Sequence, residues 1–168
     1  ISSNQHSLIL TAHHHHHQPS RERQTLKQNV SAINSHLISM TTCVNCFDSI
    51  RNNNQILGTW DFVANESSVD EDYFHGMQCL STIAANIPGT FIGTAPKTSF
   101  YLYRTEDVAS EYPIEEQNWA AAAERADSLG VDITSTSLGY YDFDNASLSY
   151  TYANMNGNTS ISARAADM

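Results

Sequence analysis

The stretch "SFYLYRTEDVASEYPIEEQNWAAAAERADSLGVDITSTSLGYY", residues 99–141, decides the fold of this protein. It opens on an apolar, aromatic run that is typical of a strand. The middle is rich in Ala, Glu and Arg, which favour helix; Glu115 and Glu116 suit the positive N-terminal end of a helix, and Gly130 supplies a stop. A second strand-like run follows. The order predicts a strand, a crossover helix and a second strand.

The residues before this stretch extend the same alternation toward the N-terminus. "QILGTWDFV" (55–63) is strand-like, and "GMQCLSTIAAN" (76–86) has small and apolar residues at helical spacing. The complete order is therefore β-α-β-α-β. Strands on either side of a crossover helix are parallel, and parallel sheets are covered on both faces. The sequence predicts an α/β layered fold with a mainly parallel sheet.

Composition limits the classes of function. A chain of 168 residues with 40% hydrophobic residues can build one packed domain. Its formal net charge of −10 argues against a nucleic-acid partner, because no basic stripe exists to displace counterions from phosphates. No apolar window is long enough for a membrane span, and no signal peptide is visible at the N-terminus.

Residues 1–46 differ from the rest of the chain. They contain no Asp, a single Glu (Glu22), and many Ser, Asn, Gln and His residues without a regular apolar period. We interpret them as an atypical low-complexity segment, either disordered or translated out of frame from a longer gene. A domain boundary is accordingly predicted at about residue 46.

Three groups of potential metal ligands are weak candidates. The tract His13–His17 has no flanking residues to fix its imidazoles, and Cys43 and Cys46 form "CVNC", half of a zinc site. The acidic run Asp70–Asp72 lacks the alternating ligands and turn glycine of a calcium loop. A metal-binding protein is therefore a minor alternative, and no metal ligand is predicted.

His75 is the strongest candidate for chemistry. Seven of the eight histidines lie at or before His36, so His75 stands alone in the globular part. It is placed where an acidic loop meets the start of a helix, and Gly76 after it permits close backbone packing. A histidine on the first turn of a packed helix is held rigidly and faces a loop, as a general base requires.

These residues carry a resemblance to a known family. "HGMQCLSTIAANIPGTFIGTAPKTSFYLYRTED" (75–107) resembles the histidine region of subtilisin-like serine proteases, in particular a bacterial branch. The family block is His-Gly-Thr before a small-residue helix, then Gly-x-Ala-Pro before a strand. The crossover helix and the strand ending in Ser-Leu-Gly follow in the same order. The resemblance covers residues 47–168 and implies the N-terminal part of a peptidase domain with an incomplete three-layer α/β sandwich.

The resemblance also implies a function and site residues. It implies a serine-type endopeptidase with a Ser-His-Asp triad, in which His75 is the general base. Ser137, Leu138 and Gly139 would line the substrate cleft and pair with an extended polypeptide substrate. No cofactor is implied, the oligomeric state stays open, and export to the cell envelope or exterior is a family expectation.

The sequence departs from the family pattern at three places. Met77 stands where Thr is usual. The triad aspartate has no obvious counterpart; Asn34 in "VSAINSHL" falls nearest to its position, and asparagine cannot carry the charge that stabilises an imidazolium. No serine lies in the Gly-Thr-Ser context of the family nucleophile, so we expect the chain to be a fragment that is inactive alone and poorly soluble. The alternative is a non-catalytic homologue that binds peptides.

Overall fold

The structure is a computed structural model that describes residues 9–12, 29–34, 45–69 and 75–168. Seven strands are described: β1 (Ile9–Ala12), β2 (Asn29–Asn34), β3 (Ile56–Asp61), β4 (Asn86–Ile87), β5 (Phe91–Ile92), β6 (Ser99–Arg104) and β7 (Ile133–Thr136). The α-helices in these ranges are α1 (Asp48–Asn52), α2 (His75–Ala84), α3 (Ile114–Ser128) and α4 (Ile161–Ala166). Short 3-10 helices span Asn45–Phe47 and Tyr152–Asn154.

The main sheet has the strand order β1-β7-β2-β6-β3. β2 pairs in parallel with both β6 and β7, and β3 pairs in parallel with β6. β1 alone is antiparallel, against β7. β4 and β5 form a separate antiparallel hairpin. The mainly parallel sheet confirms the predicted α/β class.

The side chains of β6 alternate between two cores, one on each face of the sheet. Phe100 and Leu102 are buried in a cluster with Leu80 and Ala84 of α2. Tyr103 on the other face is buried with two alanines of α3, Ala122 and Ala126. The sheet is thus covered by α2 on one side and α3 on the other, which gives the three layers that the family resemblance implies.

The "GTAP" block, residues 93–96, follows α2 in the sequence and packs against the C-terminal end of that helix. The N–H groups of Gly93, Thr94 and Ala95 donate to the carbonyls of Ala85, Thr82 and Ile83 at 2.8, 3.0 and 2.8 Å. These are carbonyls that a helix end cannot satisfy by itself. The block therefore ends α2 by satisfying its last carbonyls.

Glycine is required at position 93 by this close approach. A Cβ atom there would lie 2.4 Å from the carbonyl oxygen of Ile83, far inside van der Waals contact. Gly130 has a different role, since its φ of +71° places it in the left-handed region just after α3. This agrees with its predicted function as the helix stop.

Two strands fall in the segment that the sequence analysis treats as atypical. β2 lies in the interior of the sheet between β6 and β7, and β1 forms one edge. The sequence-based order of elements did not include either strand. The boundary at residue 46 stays a prediction.

Candidate active site

The site residues implied by the resemblance meet at the carboxyl edge of the sheet. β2 ends at Asn34, which is in register with Arg104 of β6. Ile33 is in register with Thr136 of β7, so Ser137 follows at the level of Asn34. In α/β sheets, ligands bind beyond the carboxyl ends of the strands.

The helix α2 brings His75 to the same edge. Because β3 and β6 are parallel, the chain between them must return from the carboxyl edge to the amino edge, and α2 makes this return. Its first residue, His75, therefore lies at the carboxyl-edge end. The imidazole is half-buried. This is the position that a rigidly held base requires.

The described contact of the imidazole is with a thiol one turn further along α2. Nε2 of His75 lies 3.5 Å from Sγ of Cys79. A thiol is a weak hydrogen-bond partner. The i,i+4 spacing of the two residues on a predicted helix could have revealed the pair from the sequence.

Met77 has a packing role in the structure. It is half-buried and packs against the core cluster that contains Leu80 and Phe100. The threonine that is usual in the family would place a hydroxyl at this position. Met77 instead adds an apolar contact with the core.

The segment Ser137–Gly139 is an irregular stretch between two anchored residues. Before it, the hydroxyl of Thr136 accepts a hydrogen bond from Nε1 of Trp119 in α3 at 3.1 Å. After it, the hydroxyl of Tyr140 donates to Oε1 of Glu106 at 2.5 Å. The anchors hold both ends of the segment against the body of the domain.

The same segment has an open side. Gly139 is exposed, and a Cβ at this position would meet no described atom within 4 Å. Ser137 and Leu138 are half-buried. A backbone that is fixed at both ends and open along one side can pair with an extended peptide.

A buried ion pair joins the ends of β3 and β6. Asp61 is completely buried, and its Oδ2 accepts a hydrogen bond from Nη1 of Arg104 at 2.7 Å. Its Oδ1 accepts from the N–H groups of Val63 and Ala64 at 2.7 and 2.9 Å. Asp61 therefore fixes the turn after β3, a structural role that sequence reasoning did not identify.

Three carboxyl groups gather where β6 leads into α3. One oxygen each of Glu106, Glu111 and Glu115 lies within 4.8 Å of the others. Glu106 and Glu115 are buried, and Glu111 is exposed. We call this group the acidic cluster. In the sequence these residues belong to an acidic stretch, and acidic stretches usually lie on the solvated surface.

The pKa values of the acidic cluster are raised. Burial, with the negative charges of Glu106 and Glu111, raises the pKa of Glu115 to about 8, although the N–H of Asp107 donates to it. Burial also raises the pKa of Glu106, against the opposing effect of hydrogen bonds from Tyr140 and Thr105. The electrostatic cost of ionising these carboxyls together is therefore high.

Glu116 forms a separate hub that fixes the residues after β7. It is fully buried. Its Oε1 accepts from the hydroxyl of Tyr150 at 2.5 Å, and its Oε2 accepts from the N–H and hydroxyl of Ser162 at 2.9 and 3.0 Å. Glu116 thus joins α3 to the start of α4.

The weak metal candidates are only partly covered by the structure. Residues 13–17, Cys43 and 70–72 lie outside the described residues. Cys46 is a free, buried thiol in the apolar core, and burial raises its pKa. A raised thiol pKa opposes thiolate chemistry at Cys46.

The fold defines an α/β protein, and the candidate residues Asn34 and Ser137 stand at or just after the carboxyl ends of its parallel strands. A comparison with protein-family models matches residues 12–166 to the subtilase family. The chain belongs to this family, as the resemblance implied. The comparisons found no significant match among curated proteins and none among solved structures.

Family membership supports a serine-peptidase-type function that acts on polypeptides. The match begins well before residue 47, where the resemblance in the sequence began, and includes β2 and the position of Asn34. In the described part of the chain, no helix has both the length and the apolar character needed to cross a membrane.

Proposed function

We propose that this chain is part of a subtilisin-like serine endopeptidase, with His75 as general base and Ser137–Gly139 as the segment that pairs with substrate. The observation that carries the proposal is the convergence at one sheet edge. The end of β2, the start of α2 and the segment after β7 all lie there, although they are far apart in sequence.

Each element would have a distinct task in the reaction. The imidazole of His75 would accept the proton of the serine nucleophile and later deliver it to the leaving amine. The residue at the end of β2 would orient the imidazole. Asn34 occupies that position and, as a neutral amide, can hydrogen-bond to the imidazole without stabilising its cationic form.

Substrate binding would use the main chain of Ser137–Gly139. A peptide lying along this segment would form main-chain hydrogen bonds in the manner of an added strand. The anchors at Thr136 and Tyr140 support this, because a pre-fixed segment loses little conformational entropy when substrate binds. Export of the protein from the cell is an accompanying proposal that rests on the family.

A serine-reactive phosphonate tests the proposal on the full-length gene product. The endopeptidase should be labelled, and His75→Ala should abolish labelling because the serine loses its base. Cys79→Ala is the matched control: it removes the thiol beside the imidazole but leaves His75, so labelling should persist. Equal labelling of the His75→Ala variant would contradict the assigned base.

A peptide-binding homologue without catalysis is the second candidate, and Asn34 at the end of β2 is the observation that favours it. This candidate predicts no phosphonate labelling from a folded full-length protein. It also predicts that immobilised extended peptides bind, and that replacing Gly139 by a bulky residue such as Trp weakens binding by filling the open side of the segment.

A further inference from the structure

We propose that Trp119 and Tyr140 are positioning residues for substrate, because their side chains hold the two ends of Ser137–Gly139 against one turn of α3. The inference rests on the proposed function, since it assigns the origin of peptide affinity at that site. Both residues act through the main chain of the segment between them, and neither is assigned a contact with the peptide itself.

The segment needs support from outside its own main chain. β7 ends at Thr136, and residues 137–139 belong to no strand or helix. The described residues supply no main-chain hydrogen bond to the N–H groups of Leu138 and Gly139. Main-chain groups of this kind can pair with an added strand, but ordering them at the moment of binding costs conformational entropy. Tight binding of a peptide therefore requires that other residues order the segment beforehand.

The two anchors lie one helical turn apart on α3. Nε1 of Trp119 donates to the hydroxyl of Thr136 at 3.1 Å, just before the segment. Just after it, the hydroxyl of Tyr140 donates to Oε1 of Glu106 at 2.5 Å and lies 3.4 Å from the main-chain oxygen of Glu115. Glu115 and Trp119 are four residues apart and share one face of the helix. The three-residue segment is thus seated across a single turn of α3.

The helix α3 is itself a fixed reference for the segment. Glu116 in its first turn is buried and accepts a hydrogen bond from α4. Ala122 and Ala126 further along are buried against Tyr103 of β6. The opposite face of β6 packs on α2, the helix that begins at His75. The position of a bound peptide relative to His75 is therefore set through α3 and the sheet.

Two nearly isosteric substitutions remove the anchors separately. Tyr140→Phe deletes the hydroxyl and keeps the ring, and Oε1 of Glu106 still accepts from the hydroxyl of Thr105 at 3.1 Å. Thr136→Val deletes the acceptor of the indole N–H and keeps the β-branched shape that suits a strand. This second variant leaves Trp119 in place, which matters because its ring packs against the core.

Each substitution has a matched control on the same part of the chain. Tyr141→Phe makes the same chemical change one residue further on, at an exposed side chain. Thr134→Val makes the same change two residues earlier in β7, away from the end of the strand. Thermal melting of all four variants checks that they fold.

The kinetic test separates affinity from chemistry. The full-length protein carrying Asn34→Asp would be assayed with a fluorogenic alanine-rich peptide. Tyr140→Phe and Thr136→Val should each raise KM by about tenfold, the size expected when the main chain of one more residue must be ordered at binding. The kcat value should stay within twofold, because the segment holds the peptide equally in the ground state and the transition state. Both controls should match the parent.

A second test needs no peptide. In the His75→Ala background, which prevents self-digestion, limited digestion with chymotrypsin reports how often the segment opens. Mass spectrometry identifies cuts after residues 138, 140 and 141. Tyr140→Phe and Thr136→Val should be cut there at least about fivefold faster than the parent, and the two controls at the rate of the parent.

The outcomes decide between the proposal and its alternatives. Unchanged KM in both anchor variants would overturn it, as would a fall in kcat at constant KM or a rate of digestion equal to that of the parent. A parent that neither binds nor cleaves peptides, with faster digestion of both variants, would refute the proposed peptidase and leave the anchoring of the segment in place.

Discussion

The starts of α2 and α3 lie at the same edge of the sheet but are built differently. α2 starts at a half-buried histidine, one of whose contacts is with the thiol of Cys79. α3 starts at two buried carboxyl residues: Glu115 accepts from the N–H of Asp107, and Glu116 accepts from the N–H of Ser162 in α4. The start of α2 therefore carries a candidate for chemistry, whereas the carboxyl groups at the start of α3 hold the surrounding chain in place.

The largest expected effect concerns the catalytic role proposed for His75 at the start of α2. In a full-length protein that also carries Asn34→Asp, His75→Ala should lower kcat/KM by roughly 10⁴ to 10⁶, because loss of one member of a complete triad removes most of the catalysis. Hydrolysis of a fluorogenic peptide measures this. The melting temperature, measured in parallel, checks that the variant folds. Retention of activity within tenfold would exclude His75 as the base.

The second effect concerns the end of β2. Asn34→Asp should raise kcat of the full-length protein by up to about 10⁴, because a carboxylate stabilises the imidazolium and sets its tautomer. The same peptide assay measures the gain. Asn29→Asp, at the opposite end of β2, is the matched control and should give no gain. An unchanged or lower rate for Asn34→Asp would remove this residue from the triad position.

The structural side of the comparison predicts a loss of stability. Glu116→Ala should reduce the free energy of unfolding by about 3 kcal/mol, because Tyr150 and Ser162 lose their buried acceptor. Urea denaturation measures the change. Glu124→Ala on the exposed face of α3 should stay within about 0.5 kcal/mol of the unchanged chain. Similar losses in both variants would mean that Glu116 is not a structural hub.

The smallest effect is a pH dependence in the alkaline range. Burial and the hydrogen bond and charge of Glu116 raise the pKa of Tyr150 to about 12 from its ordinary value of 10. Between these pH values the folded chain keeps a proton that the unfolded chain releases, so stability should fall as pH rises from 10 to 12. Tyr150→Phe should flatten this part of the profile. An equally steep profile in the variant would assign the dependence to other groups.

Much of the fold was predictable because its signals are local. The composition of 99–141 indicated β6, α3 and β7, and Gly130 indicated the end of α3. Strands β1 and β2 were missed, since their segment has no regular apolar period. β2 is paired on both sides, so its stability comes from β6 and β7 rather than from its own pattern.

Candidate site residues could be predicted from the sequence only where a local sequence pattern marks them. His75 could be singled out as a candidate because it stands where a loop meets the start of a helix, and its role as a base stays a prediction. The burial of Glu115 and Glu116 could not, because acidic residues in a first helical turn are usually exposed to solvent. Tyr140, which donates to the main-chain carbonyl of Glu115, and Tyr150, which donates to the carboxylate of Glu116, come from beyond the next strand, and only the fold brings them to α3.

Gly93 packs closely on the end of α2 that is opposite to His75. Any side chain at position 93 would push against the carbonyl of Ile83, and a helix transmits such a displacement along its length as a nearly rigid rod. His75 lies at the other end of that rod. We therefore expect a substitution at position 93 to displace the imidazole, although the two residues are at opposite ends of α2.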